Sequence, residues 1–171
     1  MSTALPPRPR SIGPKVKICI VASKYNETFT DALVENAIAE LGVLVPQGRI
    51  DLIRVPGAFE IPGMVAAVLE RDPPSCVLAL GLIIRGATAH ADLVAGSVTN
   101  ALQQLAVQHT LPVIHEVLLV DDEKQAYARC IGENLNRGKE AARAAASMID
   151  IHQELDRSMP RQTATRKPKH A

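Results

Sequence analysis

The chain has 171 residues, 47% of them apolar and 22% charged, which is enough for one domain around one core and ordinary for a globular protein. A largely disordered or fibrous chain is excluded. The formal charge of +1 hides an asymmetry: residues 1–15 carry Arg8, Arg10 and Lys15 with no acid, and residues 157–171 carry five basic residues with no acid, so residues 16–156 hold a net −7. That acidic body, with 2% aromatic residues, argues against a nucleic-acid-binding surface. Residues 1–15 read as a flexible, proline-rich basic arm, residues 16–156 as the folded domain, and residues 157–171 as a disordered basic tail. A sharper reading lets the tail touch a polyanion or an acidic neighbouring subunit.

The longest apolar run, Cys76–Ile84, is too short to cross a bilayer, and the first fifteen residues have no apolar stretch of the kind a signal peptide needs. The three cysteines, Cys19, Cys76 and Cys130, are odd in number and widely spaced. Cys19 and Cys76 sit in apolar runs as reduced buried thiols do, and no pair has metal-ligand spacing. These features predict a cytoplasmic protein with no membrane partner and no metal.

Residues 16–22 (VKICIVA) form a β-branched apolar run that reads as a buried strand. Thr28 with Asp31 three residues on resembles a capping box, and Ala32, Leu33, Ala37, Ile38 and Leu41 follow helical spacing. Gly42 is placed to close that helix in the left-handed conformation. Residues 50–55 predict a second strand ended by Pro56-Gly57. Pro62 suits the first turn of a helix reaching about Glu70. Cys76–Ile84 (CVLALGLII) is apolar on both faces, as central parallel strands are. A long helix over residues 92–108, a strand over 113–120, a short helix near 123–129 and a longer one over about 137–155 complete the chain. The order predicts an α/β three-layer sandwich on a parallel four-stranded sheet.

In such a sheet, ligands bind beyond the carboxyl ends of the strands. The loops there hold Ser23-Lys24-Tyr25-Asn26-Glu27, Pro56-Gly57-Ala58-Phe59-Glu60 and Arg85-Gly86-Ala87-Thr88-Ala89-His90, and the last strand holds His115-Glu116. Gly86, Ala87 and Thr88 offer backbone N–H groups and a hydroxyl to an anion ahead of a helix. His90 sits at that helix start, where the dipole favours a neutral imidazole, a suitable proton shuttle beside a phosphate. The plainer reading is an ordinary strand-to-helix turn with His90 capping the helix. Asn26 and Glu60 can hydrogen-bond a polyol, or serve only as a turn residue and a first-turn carboxylate. Tyr25 can stack on a flat ring, or be a surface aromatic. Arg129 ends a short helix, where a cation is favourable in any case, and can also reach the anion loop of a neighbouring subunit.

Taken together, Tyr25-Asn26-Glu27, residues 55–62 (VPGAFEIP), residues 80–94 (LGLIIRGATAHADLV), Pro112-Val113-Ile114, and Glu123 with Gln125, Ala126 and Arg129 resemble the lumazine synthase family of riboflavin biosynthesis. The resemblance runs from about Val16 to Ile151. It implies a flavodoxin-like sandwich assembled into homo-pentamers, packed in some members as twelve pentamers into a 60-subunit icosahedral shell, with active sites between subunits. The implied reaction condenses 5-amino-6-(D-ribitylamino)uracil with 3,4-dihydroxy-2-butanone 4-phosphate, releasing phosphate and water, without metal or organic cofactor.

By position, the resemblance implies that Tyr25 stacks on the pyrimidine while Asn26, Ala58 and Glu60 hold the ribityl chain and ring edge. It implies backbone contacts to the uracil at Ile83 and Ile84. Gly86, Ala87 and Thr88 cradle the phosphate together with Arg129 of an adjacent subunit, and His90 moves protons. Arg137 falls where many members place a lysine near the pyrimidine. Tyr25 replaces the usual Phe or Trp, His115 a usual Phe, Glu116 a common Gly and Leu119 a common Thr, so the fourth-strand wall is more polar than in the family. No insertion between Arg129 and Lys139 blocks a shell, which permits one, whereas the proline-rich start could obstruct it; the balance leans slightly towards the 60-mer.

The competing reading from the same residues is a non-catalytic relative that binds flavin or lumazine or only forms a shell. A phosphoacceptor receiver domain would need acids where Ala22-Ser23 and Ile84-Arg85 stand. A redox flavodoxin would want a Ser/Thr-rich loop where Lys24-Tyr25-Asn26-Glu27 stands.

Overall fold

A computed structural model describes residues 4–13 and 15–159; residues 160–171, most of the expected basic tail, lie outside the described residues. Strand β1 (Lys17–Ser23) leads into helix α1 (Glu27–Leu44), β2 (Arg49–Val55), a 3₁₀ turn (Ala58–Glu60) and α2 (Ile61–Arg71). Then follow β3 (Cys76–Ile84), α3 (His90–His109), β4 (Val113–Val120), α4 (Glu123–Cys130) and α5 (Arg137–Ser158). All pairings are parallel, in the order β2-β1-β3-β4.

Strand alternation sorts the core into two layers. Ile18, Ile20 and Ala22 of β1 and Leu78 and Leu80 of β3 meet Ala37 and Leu41 of α1 and Ala141, Ala145 and Ile149 of α5. Cys19, Val21, Val77 and Ala79 face Val65 and Leu69 of α2 and Val98 and Leu102 of α3. The central strands are therefore apolar on both faces. The α5 face is built from Gly138 and alanines, and a Cβ on Gly138 would stand 2.4 Å from the Leu33 carbonyl oxygen, so α5 rests directly on the α1 backbone. This is the three-layer α/β/α, flavodoxin-like fold.

Local details depart from the expected ones at helix ends. Helix α1 starts at Glu27, inside the expected box: its cap is Asn26, in the left-handed region at φ 60°, ψ 46°. Asparagine tolerates that region better than most residues. Thr28 lies within the helix, and Gly42 does not end it, because α1 runs through to Leu44. Helix α5 continues to Ser158, so Arg157 belongs to the helix and not to a tail.

The N-terminal arm also differs from a solvated one over residues 4–13. Ile12 is buried and its N–H donates to the Leu44 carbonyl at 2.8 Å. Arg8 donates to both oxygens of Glu40 at 2.8 and 2.9 Å, Arg10 pairs with Asp150, and Arg143 reaches both Glu40 and the Pro6 carbonyl. All three cysteines are buried and free, and burial pushes their thiols up, away from thiolate reactivity. Among the described residues, no helix is long and apolar enough to cross a membrane.

Candidate active site at the strand ends

The chain leaves β1 toward β2 and later returns to place β3 on the other side of β1, so a crevice opens between the loops that follow β1 and β3. Pairing of β1 with β3 stops at Ala22 and Leu80, whereas β3 continues alongside β4 as far as Ile84 and Val120. The last four residues of β3 therefore present an edge without a strand partner on the β1 side. Asn26 Nδ2 takes up one acceptor there, donating to the Leu82 carbonyl at 2.9 Å. The Arg85 N–H bonds the Val120 carbonyl on the opposite side. Alternation then turns the peptide groups of Ile84 to the open edge and those of Ile83 toward β4.

Over this edge lies a cleft of about 620 Å³, lined by Tyr25, Asn26, Gly57–Glu60, Leu82–Ile84, Gly86, Thr88, His90, Ala91 and Val94. Four separate segments thus meet, each delivered by a strand end or the start of a helix. Tyr25 lies at the rim, 67% exposed. Ala58 opens the 3₁₀ turn, and Glu60 Oε2 accepts the Gly57 N–H at 2.8 Å. That bond uses one carboxylate oxygen and leaves the other available. Gly86 and Thr88 of the β3–α3 loop form one wall, and His90 is the first residue of α3, exposed on the same wall. Ala87 belongs to the loop but not to the cleft lining.

Three expected residues stand elsewhere in the single chain. His115 projects toward α3: its Nδ1 accepts the Val117 N–H at 3.1 Å, so the proton of the neutral ring sits on Nε2, which donates to Thr99 Oγ1 at 2.8 Å. Burial pushes this imidazole down. Arg137, at the start of α5, pairs with Glu140 at 2.6 Å and stands 3.9 Å from Glu116, on the opposite face of the sheet. Arg129 donates to the Gln125 carbonyl of its own helix at 3.2 Å.

One residue that the sequence reading left without a role is Phe59. It is 61% exposed at the cleft beside Tyr25. The signal was present: Phe59 is one of only four aromatics, and it stands four residues past β2, as Tyr25 stands two residues past β1. Two of the four aromatic rings thus line one crevice, where a flat partner could stack on them.

A glycine-containing loop ahead of a helix, a carboxylate with a spare oxygen, two exposed rings and an imidazole are the groups that could receive an anion beside a flat polar ring. The family model for 6,7-dimethyl-8-ribityllumazine synthase matches residues 15–153. A protein of that name from Pediococcus pentosaceus is 35% identical over 146 residues, 85% of this chain and 94% of the relative. One from Methylobacterium radiotolerans is 36% identical over 145 residues, 85% of this chain and 87% of the relative. A third, from a Polaromonas species, is 38% identical over 144 residues, 84% of this chain and 91% of the relative. Since these matches span the strands and every loop of the cleft, the chain belongs to the 6,7-dimethyl-8-ribityllumazine synthase family.

Proposed function

We propose that the chain catalyses formation of 6,7-dimethyl-8-ribityllumazine, the step its family is named for, by condensing 5-amino-6-(D-ribitylamino)uracil with 3,4-dihydroxy-2-butanone 4-phosphate. The observation that carries this reading is the cleft itself, where the anion loop, His90, Glu60 and two exposed rings face one void. Tyr25 and Phe59 flank the pyrimidine. The Ile84 peptide groups meet its edge, and the spare Glu60 oxygen accepts from the ribityl chain or a ring N–H. Asn26 already bonds Leu82, so it shapes the floor and offers only its remaining amide capacity. Gly86, Ala87 and Thr88 hold the phosphate.

The chemistry makes modest demands. The aromatic amine adds to the ketone carbonyl and water leaves to give an imine. Loss of a C–H proton then expels phosphate, and the second amine closes the ring with loss of another water. Holding the two reactants together supplies several kcal/mol of the acceleration, and a proton shuttle at His90 adds roughly 10²–10⁴-fold. No covalent nucleophile is required.

In this reading the working unit is a ring of five chains, and twelve rings form a shell. Arg129 of one subunit neutralises the phosphate held by the next. His115 and Arg137 then reach a pyrimidine across the same boundary rather than in their own chain. The domain that does this is the expected one of residues 16–156, with α5 carried on to Ser158. Mixing the two substrates with purified chain and following lumazine absorbance and fluorescence tests the activity. Arg129→Ala is the control, and it should depress turnover through the phosphate substrate. No lumazine, with flavin or lumazine still bound, would establish the non-catalytic alternative.

A further inference from the structure

Arg85 precedes the anion loop directly, yet its guanidinium is occupied elsewhere. Its Nε and Nη2 donate to Asp92 Oδ1 at 3.3 and 2.7 Å, and its Nη1 donates to Asp121 Oδ1 at 2.5 Å. Asp92 lies in the first turn of α3, two residues after His90. Asp121 directly follows β4 and is locked to α4, its Oδ2 accepting from Gln125 Nε2 at 2.9 Å and its N–H donating to Gln125 Oε1 at 3.3 Å. The Gln125 carbonyl in turn accepts from Arg129 Nη1 at 3.2 Å. An unbroken chain of hydrogen bonds therefore runs from the first turn of α3 through Arg85 to Arg129.

The geometry points to Arg85 as a positioning residue: it fixes the anion loop and the start of α3 against the β4–α4 turn, so that the phosphate cradle and Arg129 keep their geometry, without itself touching phosphate. This deepens the proposed reading and rests on it for the identity of the anion. With three of its five N–H donors, the Nε/Nη2 pair among them, committed to two carboxylates, the guanidinium is poorly placed to grip a phosphate. All three side chains are about half exposed, so solvent screens the pairs and they add little to global stability. What they hold is a loop conformation.

The sign of the effect separates positioning from plain electrostatics. Removing the Asp121 charge near an anion site should tighten phosphate binding by Coulomb's law, but should loosen it if the carboxylate is needed to hold Arg85. Inorganic phosphate binding to the intact chain is measured by titration calorimetry for Arg85→Gln, Arg85→Lys, Asp121→Asn and the Arg85→Gln/Asp121→Asn double variant. The KM for the phosphorylated ketone is measured in parallel.

Each single variant is expected to weaken phosphate about tenfold, and the double variant no further, since both break one linkage. Arg85→Lys keeps the charge but loses the fork and should weaken binding nearly as much. Melting temperatures should move by no more than about 3 °C. Tighter binding in Asp121→Asn, full binding in either Arg85 variant, multiplying losses in the double variant, or no phosphate binding by the unmodified chain would each overturn the proposal. A chain that forms no lumazine but shows the expected phosphate pattern refutes the proposed activity and leaves the positioning role standing. A chain that forms lumazine while phosphate binding ignores Arg85 does the reverse.

Discussion

The ring of Tyr25 lies across Gly57 so closely that a Cβ on Gly57 would stand 2.9 Å from Tyr25 Cδ2 and 3.0 Å from Glu60 Oε2. The glycine is required by this contact and not by its backbone, whose φ of −131° any residue adopts. One missing methyl group thus seats both the rim aromatic and the carboxylate of the 3₁₀ turn.

Gly57→Ala should therefore act on the site more than on the fold. Tyr25 is largely exposed, so its ring can swing aside at little cost in stability. The methyl group also crowds the Glu60 carboxylate out of its bond to the residue 57 N–H. The expected outcome is a rise of roughly fivefold in KM for the pyrimidine substrate, with the melting temperature nearly unchanged. Steady-state kinetics with the phosphorylated ketone saturating would check it, and an unaltered KM would show that Tyr25 does not contact the pyrimidine.

The side chain of Glu40 is only 3% exposed and is shared by Arg8 and Arg143. Its hydrogen bond from the Arg8 guanidinium, opposed by burial and helped by Arg143, holds the carboxyl at about 2. A depressed carboxylate stabilises the fold above its unfolded value near 4.3, and that contribution fades as pH falls toward 2. Glu40→Gln should accordingly cost about 2 kcal/mol at pH 7, shrinking steadily between about pH 5 and pH 2. Urea unfolding across that range gives the difference directly. A gap independent of pH would mean that the ionised form of Glu40 is not what pins the arm.

Glu116 behaves in the opposite sense. Burial pushes it up to about 7, against the pull of the Arg137 guanidinium and with the push of Glu140. Attraction over 3.9 Å does not repay the desolvation of the carboxylate. Because the folded chain holds this proton to a higher pH than the unfolded chain does, stability is lost as pH rises from about 4.3 to about 7 and stays lower above it. Glu116→Gln should raise stability by about 2 kcal/mol at pH 8 and by almost nothing near pH 4. Paired denaturation curves at the two pH values decide the matter; destabilisation at pH 8 would show the ion pair to be the stronger term.

The sequence is most legible where one physical demand dominates. Cys76–Ile84 and Val113–Val120 have their expected ends because β-branched and apolar runs bounded by Pro, Asp and loop residues have few other uses. Helix ends were less legible, since several residues compete for one boundary. Asn26 outdid Thr28 by adopting the left-handed cap and bonding Leu82, a partner fifty-six positions away. Gly42 stayed helical because the turn beyond it packs Leu44 and Val45 into the core. Nine expected site residues meet in the cleft because a parallel sheet gathers its strand-end loops at one edge. Arg129, Arg137 and His115 lie on other faces of the chain. In the proposed assembly their contribution depends on how a second copy docks, which no local pattern encodes.

His90 and His115 present the clearest division of roles. His90 is exposed on the cleft wall at the start of α3, beside Gly86 and Thr88. His115 is tied at both ring nitrogens, to Thr99 and to the Val117 N–H, and burial favours its neutral form. A ring with both nitrogens engaged is poorly placed to pick up and release a proton, whereas His90 stands exposed beside the loop that the proposed reading assigns to the phosphate. His90→Ala should lower kcat by about 10²-fold or more, with little change in the binding of inorganic phosphate. His115→Phe removes the Thr99 bond but keeps a ring of similar size, so kcat should fall by only a few-fold. Turnover rates of the two variants, measured side by side with both substrates saturating, make the comparison. Equal losses, or a larger loss in His115→Phe, would transfer the proton-moving role to the β4 histidine.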